Sequence, residues 1–125
     1  MNDHEHSVPI SSEAITNYFE MPDLLRDLLL QLSKDFQTAQ IPLDIDVAKK
    51  YTFEALCINI EEAMKSFIKH GGSLKNLLIR VDLTEKQLKK TIPTALHSNL
   101  GLLSSLIIKR ELQKVVIRHW YRLSS

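Results

Sequence analysis

Four cations stand four residues apart near the C-terminal end of the chain: Arg110, Lys114, Arg118 and Arg122. On a helix that spacing lines the side chains up about 5–6 Å from one another in one basic row. A row of this kind can neutralise phosphates, the usual footprint of nucleic-acid binding. It also opposes the helix that carries it, because each like-charged pair disfavours the helix by roughly 0.2–0.5 kcal/mol. An anion must therefore stand nearby. The helix dipole supplies part of one for Arg118 and Arg122 in the last turns. The remainder is expected from Glu111 on the same helix, from the acidic row Asp23, Asp27 and Asp35, or from a bound polyanion.

The charge balance of the whole chain leaves both sources open. Met1–Glu62 holds four Lys/Arg against twelve Asp/Glu, a net −8, and Ala63–Ser125 holds twelve against three, a net +9, together the overall +1. Such asymmetry marks either an interaction face or two rims of one bundle that neutralise each other. Lys86, Lys89, Lys90 and Lys109 enlarge the basic half.

Other chemistries find fewer residues. Gly71-Gly72 lacks the Lys-Ser/Thr that completes a phosphate loop, and there is no G-x-G-x-x-G. Neither G-x-S-x-G nor a cysteine beside a histidine offers a nucleophile. A di-iron bundle needs a Glu followed three residues later by His, and no Glu here has one. His4 and His6 flank Glu5 in a polar tail, where histidines are usually solvated rather than ligating. His97 and His119 sit beside apolar stripes and read as hydrogen-bonded or half-exposed side chains. The single cysteine, Cys57, falls on an apolar helix face and reads as a small buried hydrophobe. No catalytic residue, cofactor or metal ligand is expected.

The elements that must position these side chains are helices. With three glycines and four prolines the chain has few sites for tight turns, and its 44% hydrophobic and 25% charged residues are ordinary for a globular protein. Ser11 or Ser12 can cap a short helix to about Glu20, with Ile15, Tyr18 and Phe19 on one face. Pro22 suits the first turn of a second helix, which carries the stripe Leu24, Leu25, Leu28, Leu29, Leu32, Phe36 and, on its opposite rim, Asp23, Asp27, Gln31 and Asp35. Gln40-Ile41-Pro42-Leu43 reads as a connection. Asp44 or Asp46 is then expected to cap a central helix that runs to His70, its stripe being Phe53, Leu56, Cys57, Ile60, Met64 and Phe67. Ser73 and Thr84 cap two short helices around Asp82-Leu83-Thr84, a spacing that a helix-turn-helix shares with a plain hairpin capping the bundle. Thr94 or Ser98 starts the last helix, whose apolar residues from Leu100 to Leu123 recur at three- and four-residue steps. Ser98, Gly101, Ser104 and Ser105 are small neighbours on it and predict close approach of another helix, within the bundle or from a second copy. Trp120 and Tyr121 are expected to close the core against Tyr18 and Phe19.

The expected fold is all-α: one bundle of three long helices, a short helix and a short helical hairpin, over residues 11–125 after a disordered tail of residues 1–10. Connection lengths permit antiparallel neighbours throughout. The polar start has no signal-peptide pattern and no apolar run approaches the length of a membrane span, so a cytoplasmic protein without a membrane segment is expected. The expected function is non-catalytic: binding of another protein or of a second copy, through the small-residue face Ser98, Gly101, Ser104, Ser105 or the acidic first half. The alternative is a nucleic-acid-binding module using Lys86, Lys89, Lys90, Lys109, Arg110, Lys114, Arg118 and Arg122.

Overall fold

The computed structural model describes residues 11–92 and 95–124, with side chains through residue 122. Among them are six α-helices: α1 (Ser12–Phe19), α2 (Pro22–Thr38), α3 (Phe53–Lys69), α4 (Lys75–Val81), α5 (Glu85–Thr91) and α6 (Leu100–Ser124). A 3-10 turn at Leu96–Ser98 precedes α6, and the described residues contain no strand. The fold is all-α, with long helices of 17, 17 and 25 residues, one short helix, and α4–α5 as the short hairpin. The expected tail of residues 1–10 with His4 and His6, the Thr94 cap and the Leu123 side chain lie outside the described residues.

Local chemistry sets most helix ends. Ser11 caps α1 by accepting from the Ala14 N–H, and Pro22 opens α2 with Asp23 in its first turn. Beyond α2, Gln40 takes a left-handed φ of 63° so that the Ile41 N–H can reach the Phe36 carbonyl at 2.9 Å. Gly71 does the same after α3 with φ 90°, which lets the Gly72 N–H reach the Phe67 carbonyl. Asp82 closes α4 at φ 68°, a conformation that Asp tolerates better than most residues. Thr84 and Gln87 form a reciprocal capping box at the start of α5.

Two helix starts differ from expectation. The central helix does not begin at Asp44 or Asp46 but at Phe53, capped by Thr52, which accepts from the Ala55 N–H. Asp46 is engaged locally instead: its carboxylate accepts from the Ala48 N–H, and its own N–H donates to the Tyr51 hydroxyl at 2.8 Å. These bonds offer the backbone a turn in competition with a helix. The last helix begins at Leu100 rather than Ser98, because Leu96–Ser98 winds as a 3-10 turn and Asn99 ties its side chain back to the Ala95 carbonyl.

Helix direction also departs from an antiparallel chain of neighbours. Asp27 pairs with Arg122 and Asp35 with Lys114, so α2 and α6 run antiparallel. Glu61 stands beside Gly101 and Cys57 senses Lys109, so α3 and α6 run antiparallel too. It follows that α2 and α3 point the same way. The link 39–52 makes this feasible: its fourteen residues can span about 45 Å, against about 25 Å for a 17-residue helix.

The core lies along α6, which packs on α2, α3 and α4. Leu100, Leu103, Ile107, Ile108 and Leu112 of α6 are buried against Leu25, Leu28, Leu29, Leu32 and Phe36 of α2 and Leu56, Ile60 and Met64 of α3. Each such side chain contributes roughly 1.5–3 kcal/mol on burial. Trp120 and Tyr121 do not join this core; they are 61% and 73% exposed. Phe19 packs edge-on against Phe53 of α3 instead, with ring centroids 6.0 Å apart, and the last turns of α6 lie beside the start of α2. Asp35 departs most from the expected wet rim: it is 1% exposed.

Candidate functional site

The basic row of α6 lies over the seam that this helix forms with α2 and α4, and three of its four side chains end on carboxylates of the same chain. Arg110 reaches Asp82 at 2.7 Å, Lys114 reaches Glu111 at 3.0 Å and Asp35 at 3.8 Å, and Arg122 reaches Asp27 at 3.0 Å. Arg118 is exposed. The two halves of opposite charge thus meet inside one fold, with Asp82 as an anion that the sequence pattern did not single out.

Beneath the row lies a group of charges sealed from solvent. Asp35 and Glu111 are 1% and 0% exposed, and their carboxyls are neighbours. Gln31 donates from Nε2 to Asp35 at 3.0 Å, Lys114 donates to the Arg80 carbonyl at 3.0 Å, and the Arg80 guanidinium stands 3.8 Å from Asp35. Burial, reinforced by Asp35 next to it, pushes the Glu111 carboxyl up to about 9 against the pull of Lys114. Burial also opposes ionisation of Asp35, but its hydrogen bonds from Glu111 and Gln31 and the charges of Lys114 and Arg80 outweigh it and hold that carboxyl below the usual range. The two neighbouring carboxyls are thus pushed in opposite directions.

Two carboxyls with displaced affinities for protons are the equipment of general acid–base catalysis. Here they lack access: both are sealed from solvent, and neither lines the large cleft between α1, α2 and α3. The pair ties helices together. Sequence reasoning placed Asp35 on the polar rim of α2 by its four-residue spacing with Asp27 and Gln31, and named Glu111 as a local anion for the cations of α6.

The other sequence candidates are dispersed. Lys86, Lys89 and Lys90 are exposed on α5, a helix that buries no residue of its own, and Lys89 pairs with Glu85. Ser98 is exposed in the 3-10 turn and Ser105 is half-buried. Ser104 is fully buried, its hydroxyl donating to the Leu100 carbonyl at 2.8 Å. Gly101 is exposed, and a methyl group there would meet only the Glu61 carboxylate at 3.6 Å, an ordinary contact. No helix crowds it.

Open space occurs elsewhere. A cleft of about 940 Å³ lies between α1, the start of α2, the link 47–52 and the start of α3. Ile15, Phe19, Leu25, Val47 and Phe53 make its apolar wall, and Tyr51 adds an aromatic side chain held by Asp46. Its charged groups are Arg26, Lys49, Lys50 and Lys109 together with Glu20, Asp23 and Glu54, and among the described residues none of these seven is in an ion pair within 4 Å. Lys109, counted with the basic half on sequence, faces this cleft rather than the row. Pattern reading missed the site because the link was assigned to a helix, which would have left no wall. Cys57 lines none of it; burial, with Glu54 adding, pushes its thiol up to about 11, far from a reactive thiolate.

Among the described residues no group of three or more His, Cys, Asp or Glu is arranged to hold a metal ion, and no helix is long and apolar enough to cross a membrane. Comparison of the chain with protein-family models, curated proteins and solved structures yields no match.

Proposed function

We propose that this chain is a non-catalytic cytoplasmic helical protein that binds another protein, and that the cleft between α1, the 47–52 link and α3 receives the partner's apolar side chains. The cleft carries the reading. Its volume is in the range of formed binding sites, its wall is aliphatic and aromatic, and its charged groups stand around that wall, the anatomy of a groove that takes an anchor residue from a partner segment. A second copy of the chain is one such partner.

The nucleic-acid reading draws less from the geometry. Arg110, Lys114 and Arg122 would have to exchange Asp82, Asp35, Glu111 and Asp27 for phosphate, and the cations with no carboxylate beside them, such as Lys86, Lys90 and Lys109, are spread over two helices. Retention on mixed DNA or RNA at low salt that falls steeply as salt rises would restore it.

The test is a photo-cross-linking residue at position 50 in the otherwise intact chain, irradiated in cells. The expected product is a discrete protein adduct, with the same chain or another, that Val47→Asp abolishes. An absence of adducts, together with a monomeric mass at every concentration tried, contradicts the reading.

A further inference from the structure

The buried acids of the α2–α6 seam support an inference that is independent of the cleft. A carboxylate can only accept hydrogen bonds, so two of them side by side out of water require donors for four oxygens. Asp35 has Gln31 at 3.0 Å and two cations at 3.8 Å. Glu111 has less: both of its oxygens are buried and neither accepts a well-aligned hydrogen bond, although the Lys114 ammonium stands 3.0 Å from Oε2. The deficit disappears if Glu111 keeps its proton and is itself the donor to Asp35.

The groups that face the pair come from three elements: Gln31 from α2, Arg80 from α4 and Lys114 from α6. Of these elements α4 is the weakest. It has seven residues, buries Leu77 and Val81, and continues into α5, whose hold on the core is the partly buried Leu88 and the cap residue Ile92. Its polar ties to the bundle include Lys114 on the Arg80 carbonyl and Arg80 toward Asp35, at the buried pair, and Asp82 on Arg110.

We propose that Asp35 and Glu111 share one proton across the α2–α6 seam, and that loss of this proton unlatches the α4–α5 hairpin from the bundle. Hydroxide takes the proton from Glu111, leaving two adjacent carboxylates. Their repulsion and their need of water are relieved where the cover lifts most easily, at the hairpin, while the long apolar seams of α2 and α3 with α6 stay closed.

The experiment follows amide hydrogen exchange of residues 75–91 in the intact protein from pH 6 to 10.5, corrected for intrinsic exchange. In the wild type, protection of α4 falls by up to tenfold per pH unit from pH 6 and levels off above about pH 9 while α3 stays protected, and Glu111→Gln removes the fall. The Glu111 carboxyl carbon, observed by NMR in the wild-type protein, keeps its protonated shift at pH 7. A carboxylate shift at pH 7, an α4 protection independent of pH, or the same fall in Glu111→Gln each overturns the proposal. The carbon shift decides the matter even if the variant does not fold.

Discussion

The α2–α6 seam and the α1–α3 cleft divide between them what an active site would combine. The seam holds the groups with displaced proton affinities, Asp35 and Glu111, and excludes solvent. The cleft has about 940 Å³ of accessible space and ordinary surface charges around an apolar wall. Chemistry needs reactive groups at a surface the substrate reaches, and here access and reactivity lie in different places. The separation favours a binding role and makes the seam a matter of stability.

The contrast can be broken first at Asp35. Its replacement by Ala strands Lys114 and Glu111 in a buried place, and we expect a loss of about 3–5 kcal/mol, read from the urea midpoint. A loss under about 1 kcal/mol would mean that water already reaches the seam. A second test uses pH. Glu111 keeps its proton in the folded chain up to about 9 but releases it near its ordinary value when unfolded, so between those values the unfolded chain binds fewer protons and stability falls as pH rises. The slope should approach, and not exceed, about 1.4 kcal/mol per pH unit between pH 5 and 9, and Glu111→Gln should flatten that part of the thermal-stability profile.

The remaining predictions sharpen the comparison by their smallness. Asp27→Ala removes an ion pair whose Arg122 partner is mostly solvated, and should cost under about 1 kcal/mol. The difference between Asp27→Ala and Asp35→Ala measures burial together with the further partners of Asp35, Gln31, Arg80 and Glu111, since both acids face the same basic row. Gly101→Ala should stabilise by about 0.5 kcal/mol in chemical denaturation, because the added methyl group meets only the Glu61 carboxylate and helix propensity improves. A destabilised variant would show that another molecule does crowd this face. Val47→Asp, on the cleft wall where Val47 packs partly buried on the core, should cost about 1 kcal/mol in chemical denaturation while abolishing the cross-linked adduct.

Much of this was legible along the chain. The stripes of α2, α3 and α6 follow the 3.6-residue period; Ser11, Thr84 and Gly71-Gly72 mark helix ends through bonds to groups at most five residues away, and Pro22 marks one by its missing N–H. The complementary spacing of Asp27 and Asp35 with Lys114 and Arg122 was visible as two rows. That they meet was not, since nothing in either row says which helices are neighbours or in which direction they run.

What the sequence determined by itself are properties that act over one or two turns of helix: periodicity, caps, and the identity of charges that must be neutralised. Only the tertiary structure decided that α2 and α3 run parallel, that the 47–52 link stands open as a cleft wall, and that Asp35 and Glu111 lie dry against each other. Burial and electrostatic partnership depend on distances between residues about 75 positions apart, as Asp35 is from Glu111. Such distances are set when whole apolar faces are buried together, a sum over many contacts that no local pattern contains.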